Sequence, residues 1–127
     1  MASEKFIRLL TSLLEGTQEG KIKWSETASE KAFRVAFEPG LVRVAVEYSD
    51  YTDCENYFAF LQDRQGRTVD EIASYDNTAP QGLLRNLYIA ARYSALRADD
   101  ILEKMLMDAE IGKTVSPPDE NPREAAR

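Results

Sequence analysis

From Ala32 to Tyr48 an apolar side chain recurs on every second residue: Phe33, Val35 and Phe37, then Val42, Val44, Val46 and Tyr48 beyond Pro39 and Gly40. A period of two places these side chains on one face of a half-buried β-hairpin. With Pro39-Gly40 as a two-residue turn, Phe37 is expected opposite Val42, Val35 opposite Val44 and Phe33 opposite Val46. L-Pro-Gly favours a type II turn whose twist suits such a hairpin poorly, so a longer loop is the alternative. The reverse face then carries Ala32, Arg34, Ala36, Arg43, Ala45 and Glu47.

A further strand is expected from Glu55 to Gln62, where Tyr57-Phe58-Ala59-Phe60-Leu61 is apolar on both faces and reads as the best covered strand of the sheet. Asp63-Arg64-Gln65-Gly66 supplies a turn, and Arg67 to Ala73 a last strand. Ahead of the hairpin, Lys21 to Trp24 forms a short extended piece.

Helical spacing flanks this meander. Ser3 is placed to cap a helix whose stripe is Phe6, Leu9, Leu10, Leu13, Leu14 and Thr17, with Gly20 as its stop. Gly16 weakens that helix, yet Thr17 keeps the phase and favours the longer version. Thr78-Ala79-Pro80-Gln81 is a helix-start signal, a cap followed by proline in the first turn. From there Leu84, Tyr88, Ala91, Ala95, Ala98, Leu102, Met105 and Ala109 repeat at alternating spacings of four and three. Phase allows one long helix, whereas Asp99 and Asp100 before Ile101 suit the start of a new helix after a break near Arg97. The expected fold is therefore a two-layer α+β domain over residues 1–111: an N-terminal helix, a four- to five-stranded antiparallel β-meander and a long or broken C-terminal helix. Residues 112–127, rich in proline and poor in large apolar residues, read as a disordered tail.

Two stretches, Leu13-Leu14, Thr17, Gly20-Lys21-Ile22 and Trp24, then Leu87-Tyr88, Ala91-Arg92 and Ala95-Leu96, resemble small stand-alone bacterial proteins built as helix, β-meander and helix. The resemblance spans most of residues 6–110. It implies that fold and a bacterial cytosolic setting, and no catalytic residue.

Charge and composition narrow the chemistry. Twenty-two acids against sixteen bases give a formal charge of −6, which opposes phosphate binding and so disfavours nucleic acid as a partner. Histidine is absent from all 127 residues, which removes the commonest general base, the commonest zinc ligand and every Ser-His or Cys-His nucleophile pair. The single cysteine, Cys54, forms no intramolecular disulfide, lies among acids and fits a reducing cytoplasm. No stretch reaches the roughly 20 apolar residues of a membrane span. Gly112-Lys113-Thr114 lacks the first glycine of a P-loop and follows a helix, not a strand.

Four constellations remain. Arg34 and Arg43, diagonal neighbours on an alanine floor in the expected register, suit a carboxylate or phosphate; their ordinary reading is a solvated strand face paired with Glu38 or Glu47. Trp24 and Tyr57 are candidates for the rim of that site, although a tryptophan after an amphipathic helix more often closes the core. Asp50, Asp53 and Glu55 gather hard oxygen donors in one loop without EF-hand spacing, so a solvated loop outweighs a metal site and no cofactor is implied. Leu84, Leu87, Tyr88, Leu102 and Met105 make an apolar arc wider than a thin sheet covers and are candidates for an interface. These features together point to a non-catalytic protein-interaction module that binds itself as a homodimer or serves as an acidic inhibitor or chaperone-like partner. The alternative is a small-molecule or anion-binding domain on the Arg/Ala face.

Overall fold

The structure, a computed structural model, describes residues 2–117. Helix α1 (Glu4–Gln18) is followed by strands β1 (Ser25–Glu26), β2 (Ala32–Phe37), β3 (Gly40–Ser49), β4 (Cys54–Asp63) and β5 (Thr68–Ala73), then helices α2 (Leu83–Ala95) and α3 (Ala98–Ile111). The strands form one antiparallel meander in the order β1-β2-β3-β4-β5. This is the expected α+β architecture, with the extended piece displaced from Lys21–Trp24 to the two residues of β1.

Helix α1 starts where a serine can satisfy an orphan backbone donor: the Phe6 N–H donates to Ser3 Oγ at 3.1 Å. Ser3 N–H in turn donates to Asp70 Oδ2 at 3.1 Å, tying the helix start to β5. The helix runs through Gly16, and there the missing side chain is needed. A Cβ at Gly16 would lie 2.6 Å from Ile22 Cγ1, because the chain folds back so that Lys21 and Ile22 both donate to the Gly16 carbonyl.

The β2–β3 register differs from expectation. Phe37 pairs with Gly40, Val35 with Val42, Phe33 with Val44, and Arg34 directly with Arg43. The turn therefore centres on Glu38 and Pro39, and Gly40 opens β3. Strand β4 explains the glycine: Gly40 pairs with Asp63, and a Cβ there would lie 2.2 Å from the Gln62 carbonyl oxygen. The shift is two residues, so the face assignment survives. Phe37, drawn to the hairpin end, is exposed instead of buried.

One face of the sheet is covered. Phe33, Val35, Val42, Val44, Ala59 and Ile72 meet Phe6, Leu10 and Leu13 of α1 and Leu83, Leu84, Leu87, Tyr88 and Ala91 of α2 in a single core. Tyr88 bridges the layers, its ring 5.7 Å from Phe33 and 5.6 Å from Tyr57. Strand β4 is not buried on both sides: Ala59 is enclosed, whereas Phe58 and Phe60 stay half-exposed on the far face.

One helix start also moves. Thr78 does not cap α2; its N–H and hydroxyl both donate to Asp76 Oδ1, at 2.9 and 2.8 Å, and hold that carboxyl below its ordinary pKa. Gly82, at φ +80°, takes the N-cap position instead. The C-terminal stripe is broken, not continuous: Arg97 adopts φ 56°, ψ 42°, and α3 begins at Ala98 with Arg97 Nε 3.1 Å from Asp100 Oδ2. Gly112 ends α3, and residues 113–117 follow without regular structure. The expected tail otherwise lies outside the described residues.

Truncating Val44, 1% exposed beneath α2, to alanine should cost about 2 kcal/mol in urea melts, whereas Arg43→Ala should fall within about 0.5 kcal/mol of wild type. Gly40→Ala should destabilise by about 1–3 kcal/mol, because its methyl displaces the β4 backbone. Equal losses at positions 43 and 44 would reverse the face assignment.

Candidate functional site

The uncovered face of the sheet is organised by the register into rows that cross the strands. Antiparallel pairing sets Ser25, Arg34, Arg43, Phe60 and Glu71 side by side, and beside them Ala32, Ala45, Phe58 and Ala73. Alternation sends all the β2, β3 and β4 members of these rows away from the core. The result is a low floor of alanine on β2 and β3, with Ala32 itself only 1% exposed at its end, against an aromatic ridge on β4. Phe58 and Phe60 stack at 6.2 Å between centroids, Tyr75 meets Phe58 edge-on at 6.1 Å, and the Arg43 guanidinium carbon lies 5.8 Å from the Phe60 centroid.

Arg34 and Arg43 are thus closer than the diagonal arrangement expected from the sequence. Like charges directly opposite on a sheet repel. Neither arginine forms an ion pair among the described residues, where the three pairs are Lys21–Glu19, Arg67–Asp63 and Arg97–Asp100. The pairing with Glu38 or Glu47 is not seen.

Trp24 and Tyr57 do not join this face. Trp24 is buried at the end of the core, where its indole N–H donates to Thr17 Oγ1 at 2.8 Å and its backbone N–H to Ser94 Oγ at 2.9 Å. Tyr57 lies on the covered face against Tyr88, and its hydroxyl donates to Glu55 Oε2 at 3.2 Å. Burial first, and then that hydrogen bond, push the Tyr57 phenol above its ordinary pKa, with Arg85 opposing weakly. A phenol held protonated in this way is no base at neutral pH.

The acidic loop does not gather its carboxylates. Asp53 accepts a hydrogen bond from Tyr48 while Glu55 accepts one from Tyr57, and Asp50 stands exposed. Among the described residues the three carboxylates that lie within 4.8 Å of one another are Asp99, Asp100 and Glu103, all exposed in the first turns of α3. That placement complements the positive end of the helix dipole and leaves all three in water.

The expected interface residues divide. Leu84, Leu87 and Tyr88 are core residues of α2, with Leu87 fully enclosed. Leu102 and Met105 are on α3, where none of the fourteen residues is buried. Ile101, Leu102, Met105, Leu106, Met107 and Ile111 all stand at least half open to solvent or close to it, from 49% at Leu102 to 74% at Ile111. A broad recess of about 1080 Å³ lies between the end of α1, Trp24 and α2, with Asp99 and Asp100 at its margin. Its Thr17 and Ser94 hydroxyls are already engaged by Trp24. No helix among the described residues is long and apolar enough to cross a membrane.

A spectrophotometric titration should show tyrosinate absorbance rising partly above the ordinary phenol range, and Tyr57→Phe should remove part of that late component. Glu55→Gln should shift it downward; an unchanged curve in both variants would contradict the partly buried, hydrogen-bonded phenol.

Comparison of the chain with protein-family models, with curated proteins and with solved structures finds no match.

Proposed function

We propose that this protein is a non-catalytic interaction module that engages another protein chain through helix α3. The observation that carries this reading is a fourteen-residue helix in which no residue is buried and six large apolar side chains stand exposed. Short helices are marginal in water by themselves and draw most of their stability from packing an apolar face. Among the described residues, helix α3 has its neighbour α2 at one end and no covering layer. An apolar surface of this kind, rimmed by charge, marks a contact site on a folded domain.

The absence of histidine and the solvated state of the clustered carboxylates support the non-catalytic half of the reading. The anion-binding alternative retains Arg34 and Arg43 but loses Trp24 and Tyr57, the aromatic groups that would have shaped its rim.

A photo-cross-linking amino acid placed at Leu106 and expressed in cells should give a discrete adduct with a protein, either a second copy or another chain. The same group at Arg8, on the outer side of α1, should give none. Leu102→Glu with Leu106→Glu should abolish the adduct formed from position 105 while leaving the unfolding free energy within about 0.5 kcal/mol of wild type, since neither side chain is buried. Absence of any adduct along α3 would overturn the reading.

A further inference from the structure

Among the described residues two surfaces are uncovered, and their chemistries are complementary. Helix α3 contains five acids, Asp99, Asp100, Glu103, Asp108 and Glu110, against one lysine, Lys104, a formal charge of −4. At about 100° per residue, Ile101, Leu102, Met105, Leu106 and Ala109 form one apolar arc. Asp108 borders that arc on one side; Asp99, Glu103 and Glu110 border it on the other. The open sheet face offers the counterpart: a floor of Ala36 and Ala45, the Phe58–Phe60 ridge with Tyr75 at its end, and Arg34 and Arg43, which lack ion pairs among the described residues, with the acids Glu47 and Glu71 only toward its margins.

We propose that the occupant of the open sheet face is helix α3 of a second copy of this chain. The proposal rests on the interaction reading above and deepens it by naming the partner surface. Charge decides between the pairings available to two copies. Helix against helix would bring two acidic rims together, and sheet against sheet would bring two arginine pairs together. Helix against sheet sets Asp99, Glu103 and Glu110 beside Arg34 and Arg43, where bidentate guanidinium–carboxylate contacts relieve the repulsion between the arginines. It also lays methionine and leucine side chains against the aromatic ridge, contacts that flexible thioethers make well.

Dimensions agree. A fourteen-residue helix is about 21 Å long at 1.5 Å per residue. Five strands at about 4.8 Å spacing span about 19 Å. One helix therefore reaches across the arginine and aromatic rows. Helix and sheet face are different surfaces, so the contact is made reciprocally: the helix of each copy lies on the sheet of the other, and the two-fold axis relating the two contacts covers both surfaces of both copies and closes the assembly.

Charge reversal tests this with the full chain. Sedimentation equilibrium should give a mass above the 14.4 kDa of one chain at concentrations up to about 1 mM, where even a Kd of about 1 mM is well populated. Arg34→Glu with Arg43→Glu should yield a monomer, and so should Asp99→Lys with Glu103→Lys. An equimolar mixture of these two variants should associate again, because each helix then meets a face of opposite charge; the four substitutions in one chain should do the same. Thermal melts establish that each variant is folded, and Arg34→Gln with Arg43→Gln replaces the reversal if it is not.

A wild-type monomer at the highest concentration overturns the proposal. So does a wild-type dimer that survives the arginine reversal, or folded variants that stay monomeric when mixed. The two readings fail separately: adducts from Leu106 to a different protein, with a monomer in solution, would overturn the second-copy assignment and leave the interaction reading standing. Absence of all adducts would end both.

Discussion

Everything in this fold depends on the contact between helix α2 and the central strands. Leu84, Leu87 and Ala91 press on the side of the sheet that carries Val42 and Val44, and α2 also touches β1, β2, β4, α1 and α3. No other helix has this reach. Burying those side chains is the dominant favourable term available to a chain of this size. Helix α1 completes the layer by packing against α2 and adding Phe6, Leu10 and Leu13 to the same core. With both helices committed to one side, the other side of the sheet keeps its arginines, alanines and half-exposed phenylalanines facing outward.

That division accounts for what the sequence made legible. Alternation in β2 and β3 identified the covered face, and the 3.6-residue stripe identified α1 with its serine cap. Register was not legible in the same way. Sliding a strand by two residues keeps each side chain on its face, so alternation cannot distinguish Val35 opposite Val44 from the observed Val35 opposite Val42. The missing information lay in Gly40, whose glycine signal reads as a turn but answers the close approach of the Gln62 carbonyl from β4, a contact between residues distant in sequence.

The candidate surfaces show the same limit from another side. Helical periodicity reports that a helix has an apolar face, not what covers it. Leu84 and Met105 obey one repeat, yet Leu84 is 2% exposed and Met105 61%. The change occurs at Arg97, where a left-handed conformation interrupts a stretch with no glycine or proline. A non-glycine residue there costs on the order of 1–3 kcal/mol, and periodicity does not mark the break, which only the acidic pair Asp99 and Asp100 signals in the sequence. The arginine pair was legible as two outward strand residues, and only the true register revealed them as direct neighbours.

The joint at Arg97 also separates two kinds of constraint on the chain. Residues before it hold the fold together, and a change among them is felt as stability. Residues 98–111 contribute nothing to the enclosed core, so their side chains can change without loosening the domain behind them. Selection on folding and selection on recognition therefore act on different stretches of the same polypeptide. A domain arranged in this way can acquire a new contact specificity by rewriting fourteen residues, while the sheet and its two covering helices stay as they are.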